Sequence, residues 1–398
     1  MLYEQKISNF IFSSCLIISI ISFTSLVFPA LIIETTNSNF NRDVDIFELG
    51  AWALPIIFSN VIFIGFYIIY RKDKLPKIIN KVIFFINEND ISKKTSLIIL
   101  LILFFIYIVF TIDEFSREEF ELGDYKGVFE AAKDYEFGEI GIGPKLKYFF
   151  LHVSYLAFDN IRILPFIASI SLLLITYFLT LEITKKRFAA VVAFSVLLQS
   201  NLFLLFDTTS TYENFWTFFY FLSIYLIFKI PIASPFTFIV SILSKALIIT
   251  LMPVNLFAIT ISKISKRNKI FLFVGYSVIV VLILVAASTG KLSHSEKLNF
   301  DETNFVSSMN EFGNNMRYEG LIIVSFLPTL LILHSKLGII REKVNFIFIA
   351  ISFAILSQPI MNFAIGMTSQ PYRLIPLIVF IAIAIGMIFA NSKKMDQQ

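Results

Sequence analysis

A single cysteine, Cys15, in a chain of 398 residues excludes a disulfide framework and a thiolate metal cage. Histidine is nearly as scarce. His152, His294 and His334 are scattered far apart, so an imidazole-built zinc centre lacks its ligands. Charge is the third shortage: only 16% of residues are charged, against roughly a quarter in a globular domain, while 57% are hydrophobic and mean hydropathy is +0.79. The sequence also holds no glycine-rich phosphate loop, no low-complexity tail, no internal repeat and no soluble domain. The net charge of +4 fits basic loops that orient a membrane protein and calls for no nucleic-acid partner.

What is present is a succession of apolar runs, many near the ~20 residues that cross a bilayer as a helix. They predict an all-α, polytopic fold of roughly 10–12 spans including one short hairpin. Spans are expected near Phe10–Ile33, Ala51–Tyr70, Ser96–Ile112, Ile163–Leu181, Ala189–Phe206, Phe215–Ile230, Ile270–Ala287, Leu321–Leu333, Val344–Ile365 and Leu374–Ala390. The first run is too long for a signal-peptide core and reads as a retained anchor. Pro235–Ile261 has Lys245 midway and Pro253 beyond it, which predicts two short segments forming a re-entrant hairpin.

The basic loops set the orientation. Arg71–Lys94, Lys185–Arg187, Lys263–Lys269, Lys336–Lys343 and Lys393–Lys394 all fall on one face if the hairpin enters and leaves from that face. Both termini are then cytoplasmic, in a multi-pass protein of the plasma membrane. The organisation expected is a two-helix module at 1–70, a basic cytoplasmic linker at 71–95 and a core at 96–398 with an acidic external loop at 113–160. Glu118–Tyr135 and Lys145–Phe158 within that loop read as helices lying on the membrane.

Four features can carry chemistry. Asp113 and Glu114 stand side by side where an apolar helix leaves the bilayer, a position that suits a general base, a divalent-cation ligand, or simply a solvated helix end. Asp207–Asn214 is a wholly polar loop whose Glu213 opens the next helix, where it also complements the helix dipole. Lys145, Lys147, Arg162, Arg317 and Arg373 present cations near membrane level, for a lipid phosphate or for ordinary snorkelling. Lys245 lies inside an apolar segment, which costs roughly 2.5–3.5 kcal/mol on insertion scales unless it meets water, a headgroup or an acid.

The order of these features resembles the GT-C superfamily of polytopic glycosyltransferases, which includes protein O-mannosyltransferases and aminoarabinose transferases. After Asp113-Glu114 come Ile142-Gly143-Pro144-Lys145-Leu146-Lys147-Tyr148, Asn160-Ile161-Arg162-Ile163-Leu164-Pro165 and Thr184-Lys185-Lys186-Arg187. Tyr212-Glu213-Asn214, Ser244-Lys245 and Pro371-Tyr372-Arg373-Leu374-Ile375-Pro376 follow. The series runs from about Ser96 to the end of the chain. It departs from the family pattern at Lys145, where a second proline is usual, and in the reversed Tyr372-Arg373 order.

The resemblance implies a GT-C-like core and an inverting transfer of a sugar from a polyprenyl-phosphate donor to a glycan, lipid or protein acceptor on the non-cytoplasmic face. Asp113 would be the base, assisted by Glu114. Lys145, Arg162, Arg317 and Arg373 would hold the donor phosphate, and Glu213, Asp207, Lys245 and Tyr372 would line the same cavity. Relatives differ in metal dependence, so a Mg or Mn ion at Asp113 and Glu114 stays open. Two other readings account for the same residues: a transporter or flippase of a lipid-linked or anionic solute, and a non-catalytic membrane subunit of a complex.

Overall fold

The computed structural model describes residues 2–31, 45–72, 74–116, 119, 124–135, 146–288, 300–366 and 369–390. Among them there is no β-strand, and the helices are α1 (Leu2–Val27), α2 (Ala53–Arg71), α3 (Lys77–Glu88), α4 (Lys93–Thr111), α5 (Tyr125–Lys133), α6 (Leu146–Phe158), α7 (Ile163–Thr184) and α8 (Arg187–Leu198). They continue as α9 (Asn201–Phe206), α10 (Phe215–Lys229), α11 (Ser234–Ser244), α12 (Met252–Ile261), α13 (Lys266–Ser288), α14 (Glu302–Met316), α15 (Gly320–Ser335), α16 (Leu337–Ile365) and α17 (Ile375–Ile388). The chain is an all-α membrane protein.

Among the described residues seven helical stretches are long and apolar enough to cross a bilayer, or eight if the pair α14 and α15, bent by 117°, is one broken span. The expectation of roughly 10–12 spans including a short hairpin also counts shorter apolar helices, which lie at Arg187–Leu198, Phe215–Lys229, Pro231–Ser244 and Ala246–Ile261. These are too short for a full crossing, because polar residues interrupt them. Ser200 caps a new helix after α8 by accepting from Phe203 N at 3.1 Å, so Ala189–Phe206 is two helices. The 15 residues of α10 rise only about 22 Å.

Burial separates an inner bundle from a lipid-facing shell. The last span, Pro371–Ile388, is 83% buried and that of α16 72%, whereas α2 is 11% and α13 17% buried. Between helices in a bilayer the drive comes from close packing rather than from expelling water. Gly386 of α17 shows the closeness: a Cβ there would meet the Ala189 carbonyl oxygen at 2.6 Å. Hydroxyls in this medium bond back to their own helix, as Thr176, Thr180 and Thr184 do to the carbonyl four residues earlier, each at 2.7 Å.

The hairpin is present. Lys245 is extended (φ −155°, ψ 116°) and ends α11, a 3-10 turn (Ala246–Leu251) follows, and Pro253 sits in the first turn of α12, where its missing N–H costs nothing. Both ends lie with the basic loops. Before it, Lys229 pairs with Glu182 at 2.6 Å; after it, Lys263 is within electrostatic reach of Lys343, whose Nζ donates to the Ile183 carbonyl at 2.7 Å. A polar knot fastens the hairpin to its neighbours. Asn255 donates to Ser223 Oγ at 2.8 Å and to Tyr276 Oη at 2.7 Å, and Tyr276 meets Ser234 at 2.9 Å.

In the acidic loop α5 and α6 fall within the two stretches expected to be helical, the first over a shorter range than predicted. They pack on one another around Val128, Ala132 and Leu151. Lys393 and Lys394, like Gly143, Pro144 and Lys145, lie outside the described residues.

Candidate functional site

The polar loop Asp207–Asn214 is not solvated. Seven of its eight residues are buried, Tyr212 being the half-exposed one. A buried loop must find partners for its backbone and hydroxyl groups. Here one carboxylate supplies four of them. Glu119 accepts from Ser210 N at 2.6 Å and Oγ at 2.9 Å, and from Thr211 N at 3.2 Å and Oγ1 at 2.8 Å. Arg162 lies against it (Nε to Oε1, 3.4 Å) and donates to the Thr208 carbonyl at 3.0 Å and to Thr208 Oγ1 at 2.8 Å.

Arg162 also donates to the Glu114 carbonyl, and Thr208 Oγ1 donates to the Glu114 carboxylate at 2.7 Å. The turn Ile112–Ser116 at the end of α4 is thereby joined to the loop. Within that turn Asp113 is exposed, while Glu114 faces the loop. Beneath it Asp207 is 1% exposed, with neither carboxylate oxygen hydrogen-bonded and the Tyr107 hydroxyl nearby outside bonding geometry. Burial first, and then the charge of Glu114, push the Asp207 carboxyl up to about 7.

On the other side of the loop a second cluster surrounds Tyr372. Its phenolic oxygen accepts from Lys245 Nζ at 2.6 Å and from Arg373 Nε at 3.2 Å, and both cations lie over its ring, at 4.9 and 5.5 Å. Tyr212 stacks on the same ring at 4.5 Å, with Phe206 and Trp216 edge-on. Gln358 of α16 positions the segment by accepting from Gln370 N at 2.9 Å and Ser369 Oγ at 3.0 Å. Glu213, 3% exposed, faces Lys147 of α6 and Lys245. Burial keeps the Glu213 carboxyl above its ordinary value despite those two cations. Burial likewise opposes the charge on Lys147, but Glu213 together with Tyr148, Tyr372 and Asp124 outweighs it and raises the amine.

The residues singled out from sequence therefore divide. Lys245, Tyr372, Arg373 and Glu213 come together, joined by Lys147 and with Asp207 and Glu114 beyond the loop. Arg162 belongs to the scaffold of that loop. Arg317 is exposed, donates to Asn314 Oδ1 at 2.7 Å and lies over the Tyr318 ring at 4.7 Å, while its carbonyl accepts from Trp52. Asp113 and Glu114 gain no third ligand: among the described residues no three His, Cys, Asp or Glu gather as a metal site. Glu119 is one acid among many in the loop at 113–160, and no local sequence pattern distinguishes it.

Chemically, the cluster around Tyr372 offers three cations, a phenol and a protonatable carboxylate on an aromatic floor, which suits an anionic group. No family model matches the chain, and no curated protein and no solved structure matches it at a significant level.

Proposed function

We propose that the protein is a membrane glycosyltransferase of GT-C type, transferring a sugar from a polyprenyl-phosphate donor with inversion at the non-cytoplasmic face. The observation that carries this reading is the convergence of Lys147, Lys245 and Arg373 on Tyr372 and Glu213, separated by one buried loop from Asp113 and Glu114. In this reading the three cations neutralise the departing lipid phosphate, and Asp113 takes the acceptor hydroxyl proton as that oxygen attacks the anomeric carbon from the opposite side. Glu114, tied to Thr208, keeps the turn that carries Asp113 in register with the loop.

The test is transfer from a polyprenyl-phosphate sugar by the purified protein in lipid. Asp113→Asn is expected to lower turnover by about two to four orders of magnitude, the scale of general-base loss. Lys245→Ala and Arg373→Ala are expected to weaken donor binding or leaving-group stabilisation. Near-normal transfer by Asp113→Asn sinks the base assignment. If Glu213→Gln abolishes transfer in its place, Glu213 is the base. A broken helix with a lysine at its turn also fits a transporter; donor movement across a vesicle membrane without sugar transfer would establish that reading instead.

A further inference from the structure

The opposite end of the bundle, where the basic loops gather, contains a recess of about 280 Å³ between α1 and α2 on one side and α15 and α16 on the other. Gln5, Asn9, Tyr67, His334 and Arg341 supply its polar wall, with Leu337 and Gly338 at the turn between α15 and α16. Among the described residues no carboxylate lines it. The recess exists because α16 is broken at Ile340 (φ −129°, ψ 43°) and Gly338 has open space where a Cβ would stand.

The cations of this segment have different employment. Lys336 donates to the carbonyls of Ile388 and Ala390, the latter at 3.3 Å, and Lys343 to that of Ile183 at 2.7 Å. Both thereby complete helix C-termini. Arg341 alone of the three lines the recess, and it pairs at 2.7 Å with Glu4, a carboxylate with a side chain 63% exposed. An exposed ion pair is worth little, about 0–1 kcal/mol, so Glu4 is readily exchanged for a better anion. A guanidinium matches a phosphate with two parallel hydrogen bonds, and the neutral amides and phenol around it are donors.

The setting is that of a lipid. Tyr67 lies near the end of α2, where aromatic residues mark a membrane boundary. The rest of α2 faces outward, with Phe63, Ile64 and Phe66 between 41% and 50% exposed, and Phe10 of α1 is 73% exposed. Acyl chains along these residues would bring a headgroup to the recess.

We propose that this recess seats the phosphate headgroup of an anionic phospholipid, with Arg341 as its charge partner and Tyr67, Asn9 and Gln5 as neutral donors. This lipid is not the substrate of the proposed reaction and sits at the other end of the bundle from the Tyr372 cluster. It wedges α1 and α2 against α15 and α16.

The full chain in nanodiscs of phosphatidylcholine or phosphatidylglycerol tests this by thermal unfolding and by native mass spectrometry of retained lipid. Wild type is expected to melt several degrees higher in phosphatidylglycerol and to retain it. Arg341→Gln loses most of that difference, Glu4→Gln keeps or enlarges it, and Lys74→Gln, at an exposed lysine outside the recess, leaves it intact. Should Arg341→Gln not fold, Tyr67→Phe with Asn9→Leu takes its place. Equal melting in the two lipids, or an undiminished difference in Arg341→Gln, overturns the proposal. So does a Lys74→Gln loss as large as that of Arg341→Gln, which would mean general surface charge. Inorganic phosphate added to phosphatidylcholine discs is expected to do nothing; if it reproduces the shift, the recess binds a free anion and the lipid assignment fails.

Discussion

Charge is handled in opposite ways at the two ends of this bundle. At the basic end the pairs are exposed: Arg187 lies 3.6 Å from Asp90 with side chains 40% and 23% exposed, and Arg341 reaches Glu4 at 2.7 Å with side chains 31% and 63% exposed. At the acidic end Glu119, Arg162, Asp207, Glu213 and Arg373 are all buried. An exposed pair is screened and cheap to lose, whereas a buried charge without its partner carries its full desolvation cost. The acidic end is where a substitution should be felt, and a protein tolerates such costs mainly where they serve a site.

The largest expected effect follows from Glu119. Its carboxylate takes four hydrogen bonds from Ser210 and Thr211 and faces Arg162. Glu119→Ala leaves those donors and the guanidinium buried together, so stability should fall by about 3–5 kcal/mol. Arg162→Ala should cost about as much, and the double variant less than the sum of the two, since the groups share one network. Denaturant unfolding in micelles would measure all three. Additive losses would mean that the loop is held by something other than this pair.

A second expectation concerns Asp207, whose carboxyl is pushed up to about 7 by burial and then by Glu114. Between its ordinary value near 4 and about 7 the folded protein keeps a proton that the unfolded chain releases. Stability contributed by this group is therefore full at low pH and lost as pH rises through that window, on the order of 4 kcal/mol at most. Asp207→Asn should flatten this slope and melt higher than wild type at pH 8. A wild type equally stable at pH 5 and pH 8 would mean that Asp207 has partners in solution that hold it ionised.

How far the sequence spoke differs between the ends in the same way. Basic loops, helix spans and the break at Lys245 are written in local pattern, because a lysine inside an apolar run or a cluster of cations carries its meaning wherever it lies. The depth of Asp207–Asn214 is not. Eight polar residues between apolar helices look solvated, and their burial depends on Glu119 and Arg162, distant in sequence and brought over them by tertiary packing. Arg162 and Arg317 illustrate the limit. Each stands near the start of an apolar helix, yet one is sealed into the loop scaffold and the other lies in the open over Tyr318. Lys147 entered only as one of several cations, since nothing in α6 by itself points to Glu213.

The smallest effect is expected at the basic end and completes the contrast. Asp90 accepts from Phe188 N at 2.9 Å and pairs with Arg187, so it serves the first turn of α8 both as a hydrogen-bond acceptor and as a charge. Arg187→Ala removes only the exposed ion pair, and stability should change by about 0–1 kcal/mol, less in high salt. Asp90→Asn keeps an oxygen for the Phe188 amide and should behave the same, whereas Asp90→Ala strands that amide and should cost somewhat more. Unfolding of the three variants at low and high ionic strength would separate the terms. A loss from Arg187→Ala as large as that from Glu119→Ala would remove the distinction between the two ends, and depth of burial would no longer explain where this protein is sensitive to charge.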